Sequence, residues 1–170
     1  MGKVIVSDTR EQRNAEVLRY LEVIGQPYVV RKVEAGDYIW CINGEDDYST
    51  VVDLKKDLVE VAGNIAGTKK EHERFKREIS RARELGCARF VVLIREPLLS
   101  LEDVQTWQSP KLRNGRKLVS RPPTALYKTM KTFESRYGVE WKFTSRFRAG
   151  EDIIAILDGK LYSRSEIKGE

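Results

Sequence analysis

Val51-Val52-Asp53-Leu54-Lys55-Lys56-Asp57-Leu58 is the stretch on which the reading of this chain turns. Its opening residues are β-branched and apolar, the composition of a buried strand, yet an acid and an amine break into it. Successive side chains of a strand point to opposite faces. Asp53 and Lys55 therefore share one face, and Leu54 takes the other. Ionised groups are expensive in such a run unless they have partners or a use.

Working outward, a helical pattern follows, with Leu58, Val61, Ala62 and Ile65 on one stripe and Phe75, Ile79, Ala82 and Leu85 on another. Gly67-Thr68 between them predicts a break or kink. Gly86 is a helix stop, and Phe90-Val91-Val92-Leu93-Ile94 reads as a buried strand. Upstream, Asn43-Gly44 is a hairpin signal that pairs the 51–55 strand with Tyr38-Ile39-Trp40. Gly36-Asp37 makes the turn before that strand. Val4-Ile5-Val6 forms a first strand ending at Ser7-Asp8, and Tyr28-Val29-Val30 another. Between those two, Asn14 stands as N-cap to a helix carrying Val17, Leu18, Leu21 and Ile24, closed by Gly25 and Pro27. Residues 96–123 lack strong periodicity, with some helix expected around 101–107. Leu126, Met130, Phe133 and Tyr137 mark a further helix ended by Gly138. A strand over 139–143 and a short helix around Ile153, Ile154, Ile156 and Leu157 complete the chain. Strands alternating with helices predict one α/β domain over residues 1–170, a central sheet flanked by helices.

Composition narrows the chemistry. The chain has 170 residues, a length suited to one domain with a real core. No apolar run approaches the ~18 residues that cross a bilayer, so no membrane role is expected. The N-terminus has neither signal-peptide nor transit-peptide form, which makes a reducing cytoplasm the default expectation. Cys41, Cys87 and the single His72 cannot complete a four-ligand zinc site or a disulfide framework. His72 lies in the charged run Lys69-Lys70-Glu71-His72-Glu73-Arg74, a poor setting for a catalytic triad and a natural one for a solvated helix face. Gly63-Asn64-Ile65-Ala66-Gly67-Thr68-Lys69 fails the spacing of a phosphate-binding loop, which excludes a nucleotide cofactor. Any catalysis must run on carboxylates, lysine and metal.

Asp8 at the end of the first strand, Asp37 before the third and Asp53 in the fourth are the candidate metal ligands, with Lys55 beside them. Asp-x(15)-Asp-x-Lys is the arrangement of the PD-(D/E)xK metal-dependent phosphodiesterases. Clustered carboxylates hold Mg²⁺ or Mn²⁺, hard cations that prefer oxygen. The metal lowers the pKa of a bound water and offsets charge on the phosphate, and a lysine on the same strand face reaches the water or the phosphate oxygens. The alternative is plainer: Asp37 a turn residue, and Asp53 and Lys55 a solvated strand face.

The wider pattern, Val4-Ile5-Val6-Ser7-Asp8-Thr9-Arg10-Glu11, then Ala35-Gly36-Asp37-Tyr38-Ile39-Trp40, then the 51–58 stretch, resembles the nuclease domain of the XPF/Hef structure-specific endonucleases. That family has a strand ending in D-x-R-E, a G-D-Y turn and a strand reading V-E-R-K followed shortly by D-L. The resemblance implies a restriction-endonuclease-like fold with a mixed sheet. It also implies an endonuclease acting on DNA, branched or flapped forms included, with Asp8, Asp37 and Asp53 on the metal and Lys55 catalytic. Glu11 would support the metal shell and Arg10 would contact phosphate, unless the two simply pair with each other. The specific motifs occupy residues 4–58. Within them the chain has Asp53-Leu54-Lys55 where the family has Glu-Arg-Lys, and Asp57 follows the lysine sooner. There is no tandem helix-hairpin-helix module, on which the family relies for dimers and branched DNA.

Lys111, Arg113, Arg116, Lys117 and Arg121 lie in a stretch, within about 108–121, that contains no acid and follows Trp107. It reads as a mobile basic loop able to contact a nucleic-acid backbone, or as a merely solvated one. Lys56 serves a solvated or DNA-facing surface, and Arg136, Lys142, Arg146 and Arg148 form a weaker second basic group. The Leu126-Met130-Phe133-Tyr137 stripe is a candidate homodimer surface, or an ordinary core-facing one. A catalytically weak binding or assembly module that keeps the nuclease fold is the alternative function, motivated by Leu54. RNA and single-stranded DNA remain open as substrates.

Overall fold

The computed structural model describes residues 2–11 and 14–159. In chain order they form β1 (Lys3–Ser7), α1 (Ala15–Ile24), β2 (Tyr28–Val30), β3 (Tyr38–Ile42), β4 (Glu45–Lys55), α2 (Leu58–Ala66), α3 (Lys69–Glu84), β5 (Arg89–Arg95), a 3₁₀ turn (Leu101–Thr106), α4 (Pro123–Tyr137), β6 (Val139–Thr144) and α5 (Ala149–Leu157). The strands make one six-stranded sheet in the order β2-β1-β3-β4-β5-β6. β2 runs parallel to β1, β3 is antiparallel to both β1 and β4, and β4, β5 and β6 run parallel. This is the mixed sheet flanked by helices that the sequence predicts.

Alternation along β4 sorts its side chains between two cores. Val51 joins the layer under α2, α3 and α4, with Phe75, Ile79, Leu126, Met130 and Phe133. Val52 and Leu54 join the opposite layer under α1 and α5, with Val17, Leu21 and Ile153. Each large apolar side chain buried here contributes roughly 1.5–3 kcal/mol over its exposed state. Asp53 and Lys55 therefore emerge on the α2/α3 side. The same alternation in β1 and β3 sends Asp8 and Asp37 to that side too, since Val6 and Ile39 lie in the α2/α3/α4 core.

The turns are made by the residues the sequence marks for them. Asn43 and Gly44 both have positive φ, as the β3–β4 hairpin requires. α2 and α3 are separate helices. Gly67 passes so close to the end of α2 that a Cβ there would lie 2.4 Å from the Gly63 carbonyl, and Thr68 caps α3 by accepting from the Glu71 amide.

Several expectations are corrected. Asn14 stands at the α1 N-cap without capping through its side chain, whose Nδ2 lies 3.5 Å from Ser7 Oγ instead. Leu85 does not join the α3 stripe; it forms the helix C-cap and is exposed. Leu126, Met130 and Phe133 are buried in the domain's own core and Tyr137 packs against it, so that stripe is not a free dimer surface. The basic loop is an ordered hairpin held by backbone bonds, with a Lys111–Lys117 bridge and Leu112 N–H donating to Arg116 O at 2.8 Å. Its lack of periodicity reflected a turn.

Candidate active site

Asp37 is held by its backbone on two sides. Its N–H donates to Val52 O at 2.9 Å, and its carbonyl accepts from Asp8 N–H at 2.8 Å. Gly36 before it has φ +73°, and a Cβ at that position would lie 2.2 Å from Val51 Cγ1. Only glycine lets the turn approach β4 so closely. The Gly36 N–H donates to Glu78 Oε1 of α3 at 2.7 Å. Asp37 Oδ2 accepts from the Leu54 amide at 2.8 Å. Turn, strand and helix together point the Asp37 carboxyl at its neighbour on β4.

That neighbour is Asp53, within hydrogen-bonding reach of the Asp37 side chain. Burial first, then the charges of Asp53 and Glu11, push the Asp37 carboxyl well above the ordinary carboxylate range, against the lowering effect of the Leu54 N–H. Lys55 Nζ lies 3.2 Å from Asp53 Oδ2 and 5.4 Å from the centre of the Phe75 ring. Burial alone would pull the Lys55 proton off. The negative charges of Asp53, Glu60 and Asp37 outweigh it and hold the ammonium above the ordinary lysine value. Lys55 is thus a cation in this setting, suited to grip an anionic oxygen rather than to accept a proton.

Asp8 departs from the sequence expectation. It is buried, its Oδ1 accepts from Val33 N–H at 3.0 Å and its Oδ2 from Arg10 Nε at 2.7 Å. Both oxygens are engaged in pinning the segment after β2 to the end of β1. Arg10 also donates to Val33 O, so it pairs with Asp8 and not with Glu11. Among the described residues, no three carboxylate, imidazole or thiolate groups stand together as a ready metal cage. Asp37 and Asp53 stand together as a pair, with the buried Glu11 acting on Asp37 from nearby, while Asp8 lines the same cavity with its carboxylate engaged by Val33 and Arg10. The pair still suits a divalent cation. Mg²⁺ is commonly bound through one or two carboxylates and keeps several waters, and these are hard oxygen donors facing open space.

The open space is a cavity of about 810 Å³ lined by Asp8, Glu11, Asp37, Asp53, Lys55 and Lys56, with α2 and α3 residues opposite. Asp57, the family-like acid after the lysine, lines it too, but its carboxylate caps α2 by accepting from Glu60 N–H at 2.9 Å. Leu54 points away into the α1/α5 core. Lys111, Arg113, Arg116 and Lys117 are exposed on the basic hairpin, whose stem residues Pro110 and Leu118 reach the cavity wall. Arg121 lines a different cavity. Sequence reasoning missed Glu78, which sits on a helix of alternating charges and whose partner is 42 residues away.

A family model described as the ERCC4 domain matches residues 7–157. Among solved structures, XPF from Aeropyrum pernix superposes with a TM-score of 0.60 at 19% identity, covering 97% of this chain and 68% of that one. XPF from Aeropyrum pernix in complex with DNA gives 0.57 at 19% identity, covering 97% and 65%. The chain spans about two thirds of the length of those structures. The likeness shows the fold, the restriction-endonuclease-like arrangement of the XPF nuclease. No curated protein matches the chain in sequence. Among the described residues, no helix is long and apolar enough to cross a membrane.

Proposed function

The chain belongs to the ERCC4 domain family, and on that premise we propose that it is a Mg²⁺- or Mn²⁺-dependent endonuclease that hydrolyses phosphodiester bonds in DNA, with branched and flapped forms as candidate substrates. The observation that carries this is the placement of Asp37, Asp53 and Lys55 on one wall of one cavity, with Asp37 and Asp53 side by side and Lys55 Nζ 3.2 Å from Asp53. Asp37 and Asp53 would hold the cation, which when bound supplies Lewis-acid polarisation of the phosphate and a more acidic water.

The chain's own groups do the rest. Lys55, charged and fixed between Asp53 and Phe75, places a positive charge where a phosphoryl oxygen gains negative charge. Glu11 keeps the local field negative, which favours a divalent cation over a monovalent one. Glu78 and Gly36 fix the turn, so that the Asp37 backbone is already placed for binding. Asp8 and Arg10 act as a brace beneath the site.

The test is cleavage of plasmid, linear, flap, fork and four-way-junction DNA by the purified chain with Mg²⁺ and with Mn²⁺. Loss of cleavage in the Asp37→Asn/Asp53→Asn double variant supports the reading, and undiminished cleavage ends it. A second reading is a binding or assembly module with weak catalysis. It draws on the engagement of both Asp8 oxygens and on Leu54. Salt-sensitive DNA binding with no cleavage on any substrate or metal would favour it.

A further inference from the structure

The catalytic cavity is a poor place to gain affinity for a polyanion. Of its described lining residues eight are acidic and four basic, Arg10, Lys55, Lys56 and Arg74. Even a bound divalent ion leaves that wall short of positive charge, so a nucleic acid must draw its binding energy from elsewhere. A second cavity, of about 320 Å³, lies between α3 and α4. Arg121, Lys128 and Arg136 line it together with His72, and among the described residues no acid does. Lys128 and Arg136 are two steps of four apart on α4, with Thr132 between them on the same ridge. The hydroxyls of Thr129 and Thr132 are spent on the Ala125 and Lys128 carbonyls. The floor is packed rings, with Phe133 5.4 Å from His72 and 5.0 Å from Tyr137. All three cations are exposed.

The two cavities draw on the same elements. On α3, Glu71 and Arg74 line the catalytic cavity and His72 the second one; in the basic segment, Pro110 and Leu118 line the first and Arg121 the second. The hairpin carrying Lys111, Arg113, Arg116 and Lys117 lies in sequence between those contacts. The basic segment thus has one end at the first cavity and the other at the second, so a long ligand at the reacting centre meets elements that also border the α4 cations. A third cavity offers less. There Lys56, Arg95 and Arg146 are balanced against Glu16 and Glu96, and Arg146 is paired with Glu16 at 2.6 Å.

We propose that the α3/α4 cavity is a second phosphate-backbone site, where Arg121, Lys128 and Arg136 hold the nucleic acid away from the scissile bond. This rests on the nucleic-acid substrate proposed above. The experiment is fluorescence anisotropy of a labelled flap DNA with the full chain in chelator, over a salt series. Wild type is compared with Lys128→Gln/Arg136→Gln and with a charge-matched control on another face, Arg19→Gln/Lys32→Gln. Thermal melts establish that each variant is folded. The site variant should bind about tenfold more weakly, with a log–log salt slope shallower by about 2, while the control keeps the wild-type slope. A site variant that matches wild type, or a control that shifts as far, overturns the proposal, as does wild type that binds no DNA. Cleavage is scored separately with metal. Binding with the expected slope but no cleavage leaves the site standing and ends the nuclease reading. Cleavage by wild type, with the site variant binding as wild type does, has the opposite meaning.

Discussion

Glu78, midway along α3, accepts the backbone N–H of Gly36 at 2.7 Å across 42 residues of sequence. The bond fixes the turn from which Asp37 projects, so a helix 42 residues away sets the aim of the Asp37 carboxyl. Glu78→Ala leaves the Gly36 amide without its acceptor and should cost about 1–3 kcal/mol in denaturant unfolding. It should also lower kcat by about 10–100-fold with KM little changed. Glu78→Gln keeps an acceptor oxygen and should recover most of both. Equal losses in the two variants would mean that the charge, not the bond, matters.

Asp37 and Asp53 are neighbours in a buried setting, and burial and Asp53 both oppose charge on Asp37. Asp37→Asn removes that repulsion while keeping an oxygen for the Leu54 amide. In chelator at neutral pH the variant should melt higher than wild type, by about 1 kcal/mol of added stability or more. In Mg²⁺ it should be inactive. A variant that is both less stable and inactive would show that the charge is not a strain on the fold.

Lys55 is held as an ammonium between Asp53 and Phe75. Truncation to Ala should lower kcat about 10²–10³-fold, the usual effect of removing one charged stabiliser. Lys55→Arg should recover little, because the forked guanidinium does not fit a site shaped for one nitrogen against a ring. Full activity in the Arg variant would argue for simple charge attraction.

Leu54 is 2% exposed among the α1 and α5 side chains. Leu54→Arg, which restores the residue of the resembling family, puts a guanidinium into an apolar layer. It should destabilise the chain by about 3–5 kcal/mol rather than improve cleavage. Urea unfolding decides this, and an Arg variant as stable as wild type would show that the side chain escapes to solvent.

Arg31 grips Asp46 with both nitrogens, Nη1 to Oδ2 at 2.9 Å, and holds the Asp46 carboxyl below its ordinary range. The folded pKa is the lower one, so the stabilisation is present above the unfolded value of about 3.9 and fades as pH falls through the folded value. Asp46→Asn should lose at most about 1 kcal/mol at neutral pH, because the pair is partly exposed. The gap between variant and wild type should close in acid.

Local signals carried most of the fold. Period-two alternation separated Asp53 and Lys55 from Leu54, Asn43-Gly44 gave the hairpin, and Gly67-Thr68 gave the break between α2 and α3. Long-range partners were not legible. Asp8 is tied to Val33, 25 residues on, and Glu78 to Gly36, and no spacing rule connects such positions. The charged α3 face gave no hint that one of its acids turns inward to a turn. The 109–119 hairpin is held by backbone bonds, which leave no periodicity to find. The α4 stripe was ambiguous because a core face and an interface face have the same composition until the neighbouring layer is known.

The sheet ends at β2, a strand of three residues with Arg31 and Lys32 directly after it. Its open row of amides and carbonyls is the natural template for stray pairing between chains, and Val29 and Val30 are exposed along it. So short a ledge gives an incoming strand few bonds, and the charged pairs Arg31–Asp46 and Lys32–Glu34 at its end would have to be desolvated by any strand that docked there. The edge of the sheet is thereby a poor template for a second copy of the chain.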